Sequence, residues 1–170
     1  MYSRKLTTGE IKLAHQAFKY SINYSSVNIF KGSYLPFNLQ AENTAMAPDG
    51  NIYFMQDYRA DYATAYLDLK HLFIHEMMHV WQHQHGYAVR IRGIASGLRS
   101  YYYELGNKRL SHYPLEQQAC IVADYWLLMQ HTMEQWAVYK KYLGPFSFAD
   151  KKGLLARYEN VIGYFPDIAG

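Results

Sequence analysis

The feature of this sequence whose spacing could support chemistry is the pentapeptide His-Glu-x-x-His, which runs from His75 to His79. Residues four apart lie one turn above each other on the same face of a helix, so both imidazoles can bind one zinc ion. Glu76 is then placed to act as the general base toward a water molecule at that metal. The pentapeptide therefore predicts metal-assisted hydrolysis.

The alternative is that the spacing arises by chance, because the chain has 8 His and a helix can carry them as a satisfied polar seam. The surrounding residues favour a metal. Apolar residues recur at helical intervals over 65–81, with no Gly or Pro before Gly86. A helix this apolar is largely buried, and a buried His-Glu-His face needs a partner that offsets its loss of solvation.

A catalytic zinc usually has three protein ligands, and His85 is one candidate for the third. It lies ten residues after His75, which is the spacing of the metzincin pattern. That pattern has a Gly at the position of Gln82, where the chain must turn back to the metal. Without a helix breaker before Gly86, His85 would lie about 15 Å along the helix from His75, too far to share an ion.

Glu116 is the second candidate, in the first turn of another predicted helix that follows Pro114. A carboxylate in a first turn is favoured by the helix dipole, and a buried one there needs a cation. The alternative is an ordinary N-terminal Glu bonded to free backbone amides. We predict Glu116, rather than His85, as the third ligand.

These residues resemble a known arrangement. The motif His75-Glu-x-x-His79, followed by a helix that opens Glu116-Gln-Gln-Ala119, resembles the gluzincins, zinc metallopeptidases whose third ligand is a Glu on a second helix. The wider segments 73–82, 46–54 and 116–125 are similar to small bacterial zincin-like proteins described as Vgr-related or Rhs-associated, which accompany type VI secretion and polymorphic-toxin systems. The resemblance covers roughly residues 7 to 130.

The chain departs from the resemblance at one position. Several gluzincins have an Asp one turn after the ligand Glu, and this Asp binds a zinc-bound His; the corresponding residue here is Cys120. Asp124 follows one turn later, about 80° around the helix from Glu116. Since carboxylates outside the ligand set orient ligand imidazoles, Asp124 is a candidate for that role. Cys120 is expected to be a small buried hydrophobic residue.

The chain has 18 Tyr, of which Tyr101, Tyr102 and Tyr103 lie between the two predicted metal-binding helices. A phenol near the metal can donate a hydrogen bond to the oxyanion that forms when water attacks a carbonyl. The sequence does not indicate which of the three would face the metal. The alternative is that all three form the wall of an aromatic loop.

Composition is consistent with one domain over residues 1–170. The chain is 50% hydrophobic, and 170 residues are too few to expect two cores. Its N-terminus lacks the pattern of a signal peptide, and no apolar run reaches membrane-spanning length. One Cys excludes an internal disulfide framework. We therefore expect a protein made in the cytoplasm of its producing cell, with export only through a specialised secretion system.

A formal net charge of +3 is too small to indicate nucleic acid as the main partner. The densest basic run contains Arg90, Arg92 and Arg99, and we interpret these residues as part of a solvated loop. A nucleic-acid role is not predicted.

Helical periodicity predicts a first helix over about 8–22, opened by a capping box of Thr7 and Glu10. Strands are predicted at 27–30, 44–46 and 51–55, followed by the motif helix, a Gly- and Tyr-rich stretch at 86–114, a long helix over about 115–143 and a shorter one near 148–160. This order predicts an α+β fold, helix-rich with a small mixed or antiparallel sheet. The resemblance implies that the fold is zincin-like.

The predicted activity is hydrolysis of an amide in a peptide or protein substrate, with Zn²⁺ held by His75, His79 and Glu116 and with Glu76 as the base. The resemblance also implies that strand 51–55 forms the edge of the cleft, where an extended peptide can pair. A secretion apparatus or an inhibitor protein is the further partner it implies. Two alternatives stay open: a catalytically idle adaptor module, and an enzyme that cleaves cell-wall peptide.

Overall fold

Strands and helices share the first half of the chain, and the named elements in the described part of the second half are helices, which confirms the predicted α+β class. The computed structural model describes residues 1–89 and 101–167. Its strands are β1 (Tyr2–Lys5), β2 (Asn28–Lys31), β3 (Ala45–Met46) and β4 (Ile52–Phe54), and its helices are α1 (Thr8–Phe18), α2 (Leu67–Gln84), α3 (Leu115–Gln130), α4 (Met133–Tyr139) and α5 (Lys151–Ile162).

The four strands form one mixed sheet in the order β1-β2-β4-β3. Strand β2 pairs antiparallel with β1 and parallel with β4, and β3 pairs antiparallel with β4. The expectation that an extended peptide pairs with free backbone groups of strand 51–55 is therefore wrong. Both edges of β4 carry hydrogen-bonded neighbours, so its backbone groups are not available to a peptide, and the edge on that side is β3.

Helix α2 packs against the sheet through a stack of aromatic rings. The ring of Tyr62 lies between Phe54 of β4, at 4.5 Å between centroids, and Phe73 of α2, at 5.4 Å. All three side chains are fully buried. This contact fixes the position of the motif helix relative to the sheet, because large stacked rings bury much apolar area and tolerate little displacement.

The predicted capping box of α1 is present. The Thr7 side chain accepts from the Glu10 backbone at 3.0 Å, and the Glu10 side chain accepts from the Thr7 backbone at 2.9 Å. Glu10 is fully buried and also pairs with Arg4 at 2.8 Å. The helix ends at Phe18 rather than near residue 22, because Lys19 takes a positive φ of 50° that a helix cannot continue through.

The single long helix predicted over 115–143 is two helices. Helix α3 ends at Gln130, and His131 is extended. A second capping box, between Thr132 and Gln135, then starts α4. The chain therefore bends where no Gly or Pro marks a break.

Within residues 1–89 and 101–167, no helix is both long and apolar enough to cross a membrane. Arg90, Arg92 and Arg99, interpreted from the sequence as part of a solvated loop, lie outside the described residues.

Candidate metal centre

Helices α2 and α3 supply the predicted metal ligands. His75, Glu76 and His79 lie in the middle part of α2, and Glu116 lies in the first turn of α3. The Nε2 atom of His75 is 3.2 Å from one carboxylate oxygen of Glu116, and Nε2 of His79 is 3.2 Å from the other. The structure thus brings the three predicted ligands together on facing helices.

The donor atoms of His75, His79 and Glu116 all lie within 4.8 Å of one another. Among the described residues, this is the group of His, Cys, Asp or Glu side chains whose geometry could hold a metal ion. Two imidazole nitrogens and one carboxylate oxygen are a donor set that zinc accepts in catalytic sites, with one position left for water. The residues present therefore fit a zinc ion.

Glu76 lies close to the three ligands, and one of its carboxylate oxygens has no hydrogen-bond partner in the described part of the chain. Its side chain is 4% exposed, and its Oε2 atom is buried with no hydrogen-bond partner among the described residues. Burial raises the pKa of this carboxyl, and the charges of His75 and His79 only partly oppose that effect. A buried oxygen without a partner is costly, so this atom independently indicates that a further group belongs at the site.

The ligands interact strongly with one another. Burial lowers the pKa of His79, but the hydrogen bond and negative charge of Glu116 outweigh it and raise that pKa to about 9. Burial raises the pKa of Glu116, yet hydrogen bonds from both imidazoles hold it well below its usual range. The three groups therefore form a tight cluster of one carboxylate and two imidazoles, and a cation can take the place of the hydrogen atoms between them.

The outer nitrogens of the two imidazoles have different partners. Nδ1 of His79 lies 2.8 Å from the side-chain oxygen of Gln82, whereas Nδ1 of His75 lies 3.8 Å from the sulfur of Cys120. Sequence reasoning missed the role of Gln82. The available signal was a polar residue one turn after a ligand His within an apolar helix.

Asp124 does not contact a ligand imidazole, so its predicted role as an outer partner of the metal is wrong. Its Oδ1 lies 2.8 Å from Nε2 of His71, and its Oδ2 accepts from the Tyr103 hydroxyl at 2.6 Å and the Lys141 backbone at 2.8 Å. The reason is its height along α3: Asp124 lies level with His71, one turn of α2 before His75.

The three consecutive tyrosines have different environments. Tyr103 is buried, and its hydroxyl bonds Asp124 and Tyr158, both at 2.6 Å, so it cannot serve as the predicted oxyanion donor. Tyr102 lies half-exposed beside Lys141, whose Nζ is 5.3 Å from the ring centroid.

Tyr101 lies beside a ligand, with its ring centroid 6.3 Å from that of His75. Partial burial raises the pKa of its phenol, and the negative charges of Glu116 and Glu76 add to the effect. Of the three, Tyr101 is therefore the phenol beside the candidate metal centre.

His85 lies away from the ligand cluster. Helix α2 ends at Gln84, and Gly86 has the positive φ of 82° that commonly follows a helix end. The His85 ring stacks on Trp81 at 4.0 Å, and its Nδ1 lies 2.8 Å from the Trp81 carbonyl oxygen. The helix thus continues past position 82, as the absence of Gly there predicts.

Comparisons with known proteins give two matches. No family model matches the chain. It is 44% identical over 133 residues to the type VI secretion system spike protein VgrG2b of Pseudomonas aeruginosa, a match that covers 73% of this chain but 13% of that protein. It also matches the solved effector domain of Pseudomonas aeruginosa VgrG2b, with a TM-score of 0.69 and 37% identity, over 91% of this chain and 83% of that one.

Proposed function

This chain belongs to the family of the VgrG2b effector domain, and we propose that it is a zinc-dependent hydrolase that cleaves an amide bond as a type VI secretion effector. The sequence resemblance to Vgr-related proteins agrees with this membership. Since the chain spans about 13% of the length of the spike protein, the proposal concerns the effector domain and not the spike. A secretion apparatus is the partner that this context implies.

One observation carries the enzymatic part of the proposal. Three zinc-type donor atoms, from His75, His79 and Glu116, lie within 4.8 Å of one another, and a carboxylate oxygen of nearby Glu76 has no partner among residues 1–89 and 101–167. A metal site with only a structural role does not need a second carboxylate that does not bind the metal. A hydrolytic site needs one, because water must lose a proton as it attacks.

Held by His75, His79 and Glu116, Zn²⁺ would polarise the substrate carbonyl and lower the pKa of a water molecule. Glu76 accepts a proton from that water as the oxygen adds to the carbonyl carbon. Glu76 then donates the proton to the leaving nitrogen as the carbon–nitrogen bond breaks. The products are a carboxylic acid and an amine. Tyr101 donates a hydrogen bond to the negative charge that develops on the carbonyl oxygen.

The buried Glu76 also bears on the alternative of a catalytically idle adaptor. Leaving a buried polar group without a partner costs about 1–3 kcal/mol. A binding module gains nothing from this cost, whereas a hydrolase uses the free carboxylate as its base. The geometry therefore favours an enzyme.

Metal content and cleavage together test the proposal. Protein purified without added metal, and protein stripped and reloaded, should each contain about one zinc per chain. The loaded protein should cleave either an unfolded protein or a cell-wall peptide, and assaying both separates these two substrate classes. A wild-type protein that neither retains nor takes up zinc would overturn the proposal.

A further inference from the structure

The side chain of Gln82 lies in the interior, between α2 and the start of α3, with no exposed surface. Burying an amide is costly unless its oxygen and both of its N–H groups find partners. All three do so here. The oxygen faces His79, and the nitrogen faces the Leu115 carbonyl at 3.0 Å and the side-chain oxygen of Gln118 at 3.1 Å.

The direction of these hydrogen bonds is fixed by two backbone carbonyls. Nε2 of Gln82 donates to the Leu115 carbonyl, and Nε2 of Gln118 donates to the Tyr113 carbonyl at 2.8 Å. A backbone carbonyl can only accept, so neither amide can rotate without placing oxygen against oxygen. The oxygen of Gln82 must therefore face His79.

This orientation determines which nitrogen of His79 is available to a metal. An amide oxygen cannot donate, so Nδ1 of His79 must carry the hydrogen in the bond to Gln82. The other nitrogen, Nε2, is then the one free to bind a cation, and it already lies 3.2 Å from Glu116. Hydrogen bonds of this kind orient ligand imidazoles and raise their basicity.

The same amide also holds the third ligand. Leu115, whose carbonyl accepts from Gln82, directly precedes Glu116, and Tyr113 lies just before the helix that carries it. The Gln82–Gln118 pair therefore fixes the start of α3 relative to His79. By contrast, His75 has the weak and distant thiol of Cys120 as its outer partner.

We propose that Gln82 is a positioning residue of the metal centre, which directs Nε2 of His79 toward the ion and locks Glu116 opposite it. The inference rests on the proposed zinc site. It assigns to a neutral amide, contributed by α2 itself, the orienting role that the sequence predicted for Asp124.

Gln82→Met tests this inference, because Met keeps the length of the side chain but makes none of these hydrogen bonds. Gln84→Met is the matched control: Gln84 lies on the same helix and bonds the backbone of Asn23 and the Ser26 hydroxyl, away from the ligands. Zinc affinity is measured by competition with a chelator. The visible absorption of the Co²⁺-loaded protein reports the geometry of the ligands without relying on activity.

Gln82→Met should weaken zinc binding by about 10- to 100-fold and change the Co²⁺ spectrum. Gln84→Met should lower thermal stability but leave both readouts unchanged. Gln82→Glu keeps an acceptor for Nδ1 of His79 but replaces the N–H groups that bond Leu115 and Gln118 with an oxygen, so it should bind zinc less tightly than wild type and more tightly than Gln82→Met. This variant also decides the question if Gln82→Met does not fold.

Two results would overturn the role of Gln82. One is a Gln82→Met variant that binds zinc as wild type does, and the other is a Gln82→Glu variant that binds zinc as tightly as wild type. Both results are informative only if the wild-type protein binds zinc. Failure of the wild type to bind zinc would instead overturn the proposed function, so the two failures are distinct.

Discussion

Oδ1 of Asp124 lies 2.8 Å from Nε2 of His71, which precedes the ligand His75 by one turn of α2. Its second oxygen accepts from the Tyr103 hydroxyl and from the Lys141 backbone, and the carboxylate is fully buried. Asp124 therefore joins α2, α3 and two connecting segments. One of these segments carries Tyr101, so Asp124 supports the metal centre through the fold rather than through a ligand.

Asp124→Asn should lower the free energy of unfolding by about 1–3 kcal/mol. One carboxylate oxygen that accepts hydrogen bonds becomes an amide nitrogen, which cannot accept from the same donors. The zinc dissociation constant should stay close to that of wild type. Urea unfolding and chelator competition measure the two quantities. Glu159→Gln removes the same charge from an exposed position and should change neither. A large loss of zinc affinity in Asp124→Asn, without loss of stability, would return Asp124 to the role of outer partner of the metal.

The elements that the sequence predicted well are those with strong local signals. The capping box of Thr7 and Glu10 marks the start of α1, and the apolar periodicity over 65–81 marks α2. Strand β1 was missed because three of its four residues are exposed, so it lacks the alternation that marks a strand. The start of α4 was also missed, although Thr132 and Gln135 form the same capping pattern, because apolar residues continue past it.

The candidate site divides in the same way. His75 and His79 come together through local helix geometry alone, so their spacing in the sequence was sufficient. The role of Gln82 depends on Leu115 and Gln118, which are 33 and 36 residues away. Helical periodicity places a side chain on a face, but it does not tell which groups a distant segment brings to that face. The partners of Asp124 could not be predicted for the same reason.

Tyr101→Phe should lower activity, whereas Tyr103→Phe should lower stability. Removing the Tyr101 hydroxyl should lower kcat/KM by about 10²–10³-fold, as expected for a lost oxyanion donor, with little change in stability. Removing the Tyr103 hydroxyl breaks buried bonds to Asp124 and Tyr158, so it should lower the free energy of unfolding by about 1–3 kcal/mol. Steady-state kinetics and urea unfolding on both variants make the comparison. Full activity in Tyr101→Phe would exclude Tyr101 from the mechanism.

Glu76→Gln separates metal binding from chemistry. The amide keeps the size of the side chain but cannot take a proton, so hydrolysis should fall by about two to four orders of magnitude. Zinc content should remain that of wild type, because Glu76 is not among the three clustered ligands. Metal-free Glu76→Gln should be no less stable than wild type, since the oxygen it replaces has no partner in the described part of the chain. Undiminished turnover in this variant would remove Glu76 from the mechanism.

Glu116→Ala and His85→Ala decide the identity of the third ligand. Glu116 lies 3.2 Å from both ligand imidazoles, so its removal takes away one metal ligand and the carboxylate that bonds both histidines. Zinc affinity should fall strongly, and zinc should no longer raise the melting temperature. His85→Ala loses only the stacking of its ring on Trp81, and zinc affinity should not change. Chelator competition and thermal unfolding with and without zinc provide the measurements. If zinc affinity collapsed in His85→Ala and survived in Glu116→Ala, the chain would have to turn back after His79 in the metal-bound protein, and the third ligand would be His85, as in metzincins.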